Sequence, residues 1–133
     1  MGAQDLDRIR ALFEGWSRGD WSGGTELFAD NVVVTTFDAD GDEIALDGLA
    51  ALQAWHRSFL QQWHDLRQDC DELLDLGDRI LSIGRQTATG RASGVSVEIR
   101  IYNVFVFDDG RVVEFHVTRH EDVARRRAGL NAR

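Results

Sequence analysis

Val95-Ser96-Val97-Glu98-Ile99-Arg100-Ile101-Tyr102-Asn103-Val104-Phe105-Val106-Phe107 is one unbroken extended run, rich in β-branched and aromatic residues. At ~3.3 Å per residue it would span roughly 43 Å, more than the width of a small domain. Such a strand must bend, and the sheet holding it must curve. One face carries Val95, Val97, Ile99, Ile101, Asn103, Phe105 and Phe107, so Asn103 is the single polar member of an apolar stripe. On the other face Tyr102, Val104 and Val106 are also apolar.

Downstream, Asp108-Asp109-Gly110 reads as a three-residue hairpin loop with glycine in the left-handed position. Arg111 to His120 is then the last strand, and a short helix from about Glu121 closes the chain. That loop pairs Phe105 with Val113 and Asn103 with Phe115, and puts Val113, Phe115, Val117 and Arg119 on the Asn103 face. Upstream, Arg79 to Thr89 and Leu66 to Leu76 are strands separated by Gly77-Asp78. The third helix reaches from Gly48 to about Asp65, with a stripe of Leu49, Leu52, His56, Phe59 and Trp63 that Trp55 widens. Val32 to Phe37 and Ile44 to Leu46 form a hairpin around the acidic turn Asp38 to Glu43. That turn lacks the glycine position and closing glutamate of a calcium loop, since Leu49 stands where the glutamate belongs. The first helix, about Asp5 to Arg18, has an apolar face of Leu6, Ile9, Phe13 and Trp16. A short second helix is expected after Ser22, burying Leu27 and Phe28.

The expected architecture is α+β. A cone-shaped, curved antiparallel sheet packs on three N-terminal helices around an apolar pocket, in a single domain spanning residues 1–133. Composition narrows the function. The formal charge is −8, which disfavours nucleic acid and anionic membranes as partners. All basic residues are arginine, so Schiff-base chemistry and a Walker-type phosphate loop are excluded. Cys70 is the only cysteine, which rules out an intrachain disulfide. The N-terminus lacks a signal-peptide pattern and no stretch is long and apolar enough to span a membrane, so a cytoplasmic location is expected. No cofactor and no metal site is expected; His116 and His120 stand ~13 Å apart on a strand.

Polar residues on apolar faces mark the candidate pocket. His56 interrupts the third helix's stripe, where burial would keep it neutral and able to exchange a proton. Asn103 and Arg119 are candidate hydrogen-bond donors to a developing oxyanion, and Asp38 is a candidate base at the rim. Thr36, Trp16, Trp55, Phe59, Trp63, Phe105, Phe115 and Val117 are the candidate binding residues. A sheet apolar on both faces needs a second cover, and the simplest is another copy of the chain. A homodimer through the sheet is therefore expected, with His116 and Thr118 near the interface.

Trp16-Ser17-Arg18-Gly19-Asp20-Trp21, then Leu27-Phe28-Ala29-Asp30-Asn31-Val32, then Gly48 opening a helix resemble the nuclear transport factor 2-like superfamily. Leu66-Arg67, Gly77-Asp78-Arg79, the run from Val104 to Val113 and the ending Ala128-Gly129-Leu130 are similar to its SnoaL-like branch. The resemblance covers nearly the whole chain and implies the same fold and pocket. It implies chemistry only in outline, because the superfamily holds isomerases, cyclases, dehydratases, epoxide hydrolases and non-catalytic scaffolds. The general-base aspartate of ketosteroid isomerases corresponds to Thr36, their oxyanion-hole tyrosine to Leu12, their protonated strand aspartate to Asn103 and their third-helix tyrosine to His56. The last-strand aspartate of polyketide cyclases and limonene epoxide hydrolases corresponds to Val117, and the helix-one acid of scytalone dehydratase-like enzymes to Ser17. Two functions stay open. One is an acid–base isomerase, cyclase or dehydratase on a small apolar or aromatic ring compound. The other is a non-catalytic binding or dimerisation module.

Overall fold

The computed structural model describes residues 3–38 and 40–131; Ala39 of the acidic turn and the two residues at each end lie outside them. Helix α1 (Ala3–Ser17) is followed by a single 3₁₀ turn (Thr25–Leu27), strands β1 (Phe28–Phe37) and β2 (Glu43–Asp47), and helix α2 (Leu49–Gln62). Strands β3 (Trp63–Asp75), β4 (Arg79–Gly90), β5 (Ser96–Asp108) and β6 (Arg111–Thr118) come next, and helix α3 (Glu121–Arg127) ends the fold. The sheet order is β2-β1-β6-β5-β4-β3. Every neighbouring pair is antiparallel except β1 and β6, which run parallel.

The α+β architecture expected from the sequence is present. The apolar face of α1 does what its spacing predicts, burying Ile9, Phe13 and Trp16 against the inner face of the sheet with Phe105, Phe107 and Val112. Three local expectations change. The second helix shrinks to one 3₁₀ turn, because Gly24 sits at φ 93° and lies against Leu12, leaving no room for continued helix. Phe28 is buried as expected but opens β1. Helix α2 stops at Gln62, so Trp63 belongs to β3 and pairs with Gly90.

The β5–β6 hairpin is tighter than read. Asp108 pairs with Arg111 and only Asp109 and Gly110 form the loop, both at positive φ (51° and 76°) as a two-residue hairpin turn requires. A bulge at Val113 then adds a second step, so Phe105 pairs with Phe115 and Asn103 with Val117. The total shift is two residues, and two is the period of a strand. Phe115 and Val117 therefore keep the inner face, while Val113 moves to the outer one and Val112 takes its place in the inner core.

The curvature has a visible cause in β3 and β4. An extra residue interrupts the β3–β4 register between Cys70 and Glu72, opposite Gly84. A side chain at Gly84 would put its Cβ 1.9 Å from the Asp69 carbonyl oxygen. The oxygen belongs to backbone and the Cβ position is set by backbone, so neither can give way without moving a strand. Gly84→Ala should cost about 1–3 kcal/mol in urea-unfolding free energy through forced strand separation; an unchanged midpoint would show that the strands do not need this approach.

The outer face receives its cover from within the chain. Ala124 and Ala128 of α3 pack with Leu81, Tyr102, Val104 and Val106, and Leu130 joins them. Tyr102, Val104 and Val106, the outer-face residues on which the expectation of a second copy rests, thus pack against α3. His116 is likewise held inside the chain, at 6% exposure. Its Nδ1 lies 2.8 Å from Thr35 Oγ1 and accepts from the Arg127 guanidinium at 3.1 Å, while Nε2 donates to Glu114 Oε1 at 2.9 Å. Arg127 also donates to Glu43 Oε1 at 2.8 Å, tying α3 to β2. Burial first, and then the Arg127 charge, hold the His116 pKa below the ordinary histidine value.

Candidate ligand pocket

Between the inner face of the sheet, α1, α2 and the segment Trp21–Thr25 lies a cavity of about 300 Å³. That is at the small end of ligand pockets. Aromatic rings make most of its wall. Trp16 stacks on Trp21 at 5.0 Å, Trp21 meets His56 at 4.9 Å, and Trp55 stacks on Phe59 at 5.1 Å. Trp21 is fixed by its indole N–H, which donates to the Leu66 carbonyl at 2.9 Å. Phe28, Phe37 and Phe115 close other sides.

Three residues of this wall carry a buried side-chain atom with no hydrogen-bond partner among the described residues: Thr36 Oγ1, Gln68 Nε2 and Asn103 Oδ1. The residues are 2%, 4% and 1% exposed, so bulk water does not satisfy these atoms. Leaving such a group unsatisfied costs about 1–3 kcal/mol. Asn103 is fixed in place, because its Nδ2 donates to Ser82 Oγ at 3.0 Å on the neighbouring strand and its Oδ1 is left over. All three residues line the same cavity.

The electrostatics are equally specific. Among the described residues no aspartate or glutamate lines the cavity, and its ionisable groups are His56 and Arg57, the latter exposed on α2. Burial pushes the His56 pKa down to about 4, so the imidazole is neutral at pH 7. It can donate from one nitrogen and accept at the other.

Of the residues singled out by sequence, Thr36, His56, Asn103, Trp16, Trp55, Phe59, Phe115 and Val117 come together around this cavity. Asp38, Trp63 and Arg119 do not reach it and line an adjoining groove instead. Asp38 Oδ1 accepts from the backbone N–H of Asp40 at 2.9 Å and of Asp42 at 3.0 Å, so this carboxylate shapes its turn. Phe105 is fully buried beneath Phe115, ring on ring at 5.1 Å, and belongs to the core. Sequence reasoning missed Trp21, Gln68 and Gln86. Gln68 carried the signal that exposed Asn103, being polar between Leu66 and Cys70 at strand alternation.

The curved sheet, its helical cover and the apolar cavity between them define a nuclear transport factor 2-like α+β protein. The SnoaL-like domain matches residues 9–115, and the chain belongs to that family. No match was found among the curated proteins. Among solved structures, a nuclear transport factor 2-like protein of unknown function from Burkholderia pseudomallei is similar at TM-score 0.76 and 23% identity, over 90% of this chain and 92% of that one. Bal32a, from a soil-derived mobile gene cassette, is similar at TM-score 0.76 and 22% identity, over 90% and 91%. A candidate SnoaL-like polyketide cyclase from a Jannaschia species is similar at TM-score 0.72 and 19% identity, over 86% and 84%. At these identities the likeness is one of fold. No helix of the described residues is long and apolar enough to cross a membrane.

Proposed function

We propose that the protein binds a small, neutral, mostly apolar ring compound carrying hydrogen-bonding groups. The observation that carries this reading is the convergence on one aromatic-walled cavity of Thr36, Gln68 and Asn103, each with a buried side-chain atom that has no partner among the described residues. A fold that only needed a core would gain stability from apolar residues at these positions. A neutral ligand is favoured because the buried wall holds no carboxylate and its histidine is uncharged. Aromatic faces suit a flat ring, at about 0.5–1.5 kcal/mol per ring pair beyond area burial.

A second reading adds acid–base turnover at His56, the one imidazole on the wall. Similarity to a candidate polyketide cyclase fits it. A base whose pKa is about 4 is weak at neutral pH, and no carboxylate in the cavity backs it. Binding is therefore the better supported of the two.

The test is a thermal-shift and calorimetric screen with 2-naphthol, indole, coumarin and 1-tetralone on wild type and Asn103→Leu. At least one compound should raise the wild-type Tm. Asn103→Leu also strands Ser82 Oγ, so each protein is read against its own ligand-free form, and the variant should weaken the bound compound by roughly 5- to 100-fold, the value of one buried hydrogen bond. If no compound shifts Tm, or if Asn103→Leu binds every one as tightly as wild type, the reading falls.

A further inference from the structure

The wall of the cavity does not end at the cavity. Phe37, Trp55, Phe59 and Gln86 line both it and an adjoining groove of about 390 Å³ on their far side. The aromatic run crosses with them: His56 to Trp55 at 6.3 Å, Trp55 to Phe59 at 5.1 Å, and Phe59 to Trp63 at 6.2 Å. Trp63 lies only on the groove side. The opposite wall is the inner face of β4 and β5, where Ala88 pairs with Val97 and Gln86 with Ile99. Val97 is 39% exposed, an apolar side chain left uncovered on the concave side of the sheet. Beyond it the groove reaches Asp38 and Arg119, where the apolar surface stops.

We infer that the ligand is elongated, a ring compound with an apolar arm that leaves the cavity past Trp55 and Phe59 and lies in this groove. The inference rests on the binding function proposed above and extends it to the shape of the ligand. Along this run the ring centroids of Trp55, Phe59 and Trp63 follow one another at 5.1 Å and 6.2 Å, a course that suits an arm of roughly six to eight carbons. Among the described residues the charged members of the groove are Asp38 and Arg119; an alkyl or alkoxy chain has Trp55, Phe59, Trp63, Ala88, Val97 and Ile99 to lie against, with Ser58, Gln62 and Gln86 as the uncharged polar residues beside them.

The test compares 2-naphthol, 6-propoxy-2-naphthol and 6-hexyloxy-2-naphthol by quenching of tryptophan fluorescence, on wild type and on Val97→Asp. Val97 lines the groove and not the cavity, and it is exposed, so the variant should fold. Trp63→Ala serves as a second variant at the other end of the groove. A buried methylene is worth up to about 4-fold in affinity, so with partial burial the hexyloxy compound should bind wild type at least about 10-fold tighter than 2-naphthol. In both variants that advantage should shrink by at least about 5-fold while 2-naphthol affinity stays the same. Should 2-naphthol bind while chain length adds nothing, or add as much in the variants as in wild type, the groove is not part of the site and the cavity reading stands alone. Should none of the three bind, the elongated ligand is ruled out, and the binding reading falls with it only if indole, coumarin and 1-tetralone also leave the wild-type Tm unchanged.

Discussion

Lowering the pH from 7 to 4 should cost the wild-type protein about 3 kcal/mol of stability that His56→Phe does not lose. The cause is burial of an imidazole in an aromatic wall. In the folded chain its pKa is pushed down to about 4, against 6.5 for a free histidine. Between those two values the unfolded chain binds a proton that the folded chain does not. Stability is therefore fully present above pH 6.5 and is lost as the pH falls toward 4. At about 1.4 kcal/mol per unit, the gap amounts to roughly 3 kcal/mol. His116 has a pKa lowered in the same direction, but it sits in the outer-face network and is common to both proteins, so it cancels in the comparison. Phenylalanine retains the contacts with Trp21 and Trp55 and carries no titratable nitrogen. Urea midpoints measured every half unit of pH should diverge steadily below 6.5. Parallel curves would mean that His56 is solvated, and the neutral-ligand argument would lose its electrostatic support.

Phe105→Ala should destabilise the fold by about 3–5 kcal/mol, the usual cost of removing a buried aromatic ring. Phe105 is fully buried, stacked on Phe115 at 5.1 Å and edge-on to Phe13 at 6.2 Å. It joins α1 to the C-terminal part of β5 and supports Phe115, which forms part of the cavity wall. Against a total stability of roughly 5–15 kcal/mol, such a loss is a large share. The measurement is the unfolding free energy from urea titration, with Phe105→Leu as the milder companion. A loss below about 1 kcal/mol would show that the layer under Phe115 is loosely packed and that Phe105 is no keystone of the wall.

These two residues illustrate how far alternation along a strand can be read. Phe105 and Asn103 share a face, and sequence reasoning placed both at the pocket. Alternation tells which side of the sheet a residue takes; it does not tell how deep the residue sits once the opposite wall is built. Phe115 lies across from Phe105 and covers it, whereas Val117 lies across from Asn103 and both residues line the cavity. Asp38 and Arg119 were legible as charged residues at strand ends. Their separation from His56 depends on how the helix α2 and the hairpin β1–β2 meet, which no local pattern records.

Much of this protein was fixed by sequence alone. The long β5 run forced a curved sheet because no small domain is wide enough for it flat. The period of α1 set the buried face, and polar intruders on apolar stripes pointed to Asn103 and His56. What only the tertiary structure decided came from contacts distant along the chain. The parallel pairing of β1 with β6, the fold of α3 back over the outer face, and the meeting of Thr36, Gln68 and Asn103 at one cavity all join residues dozens of positions apart. Local propensity and periodicity cannot encode such meetings, because they depend on the twist and curl that the whole sheet adopts when its two faces are buried.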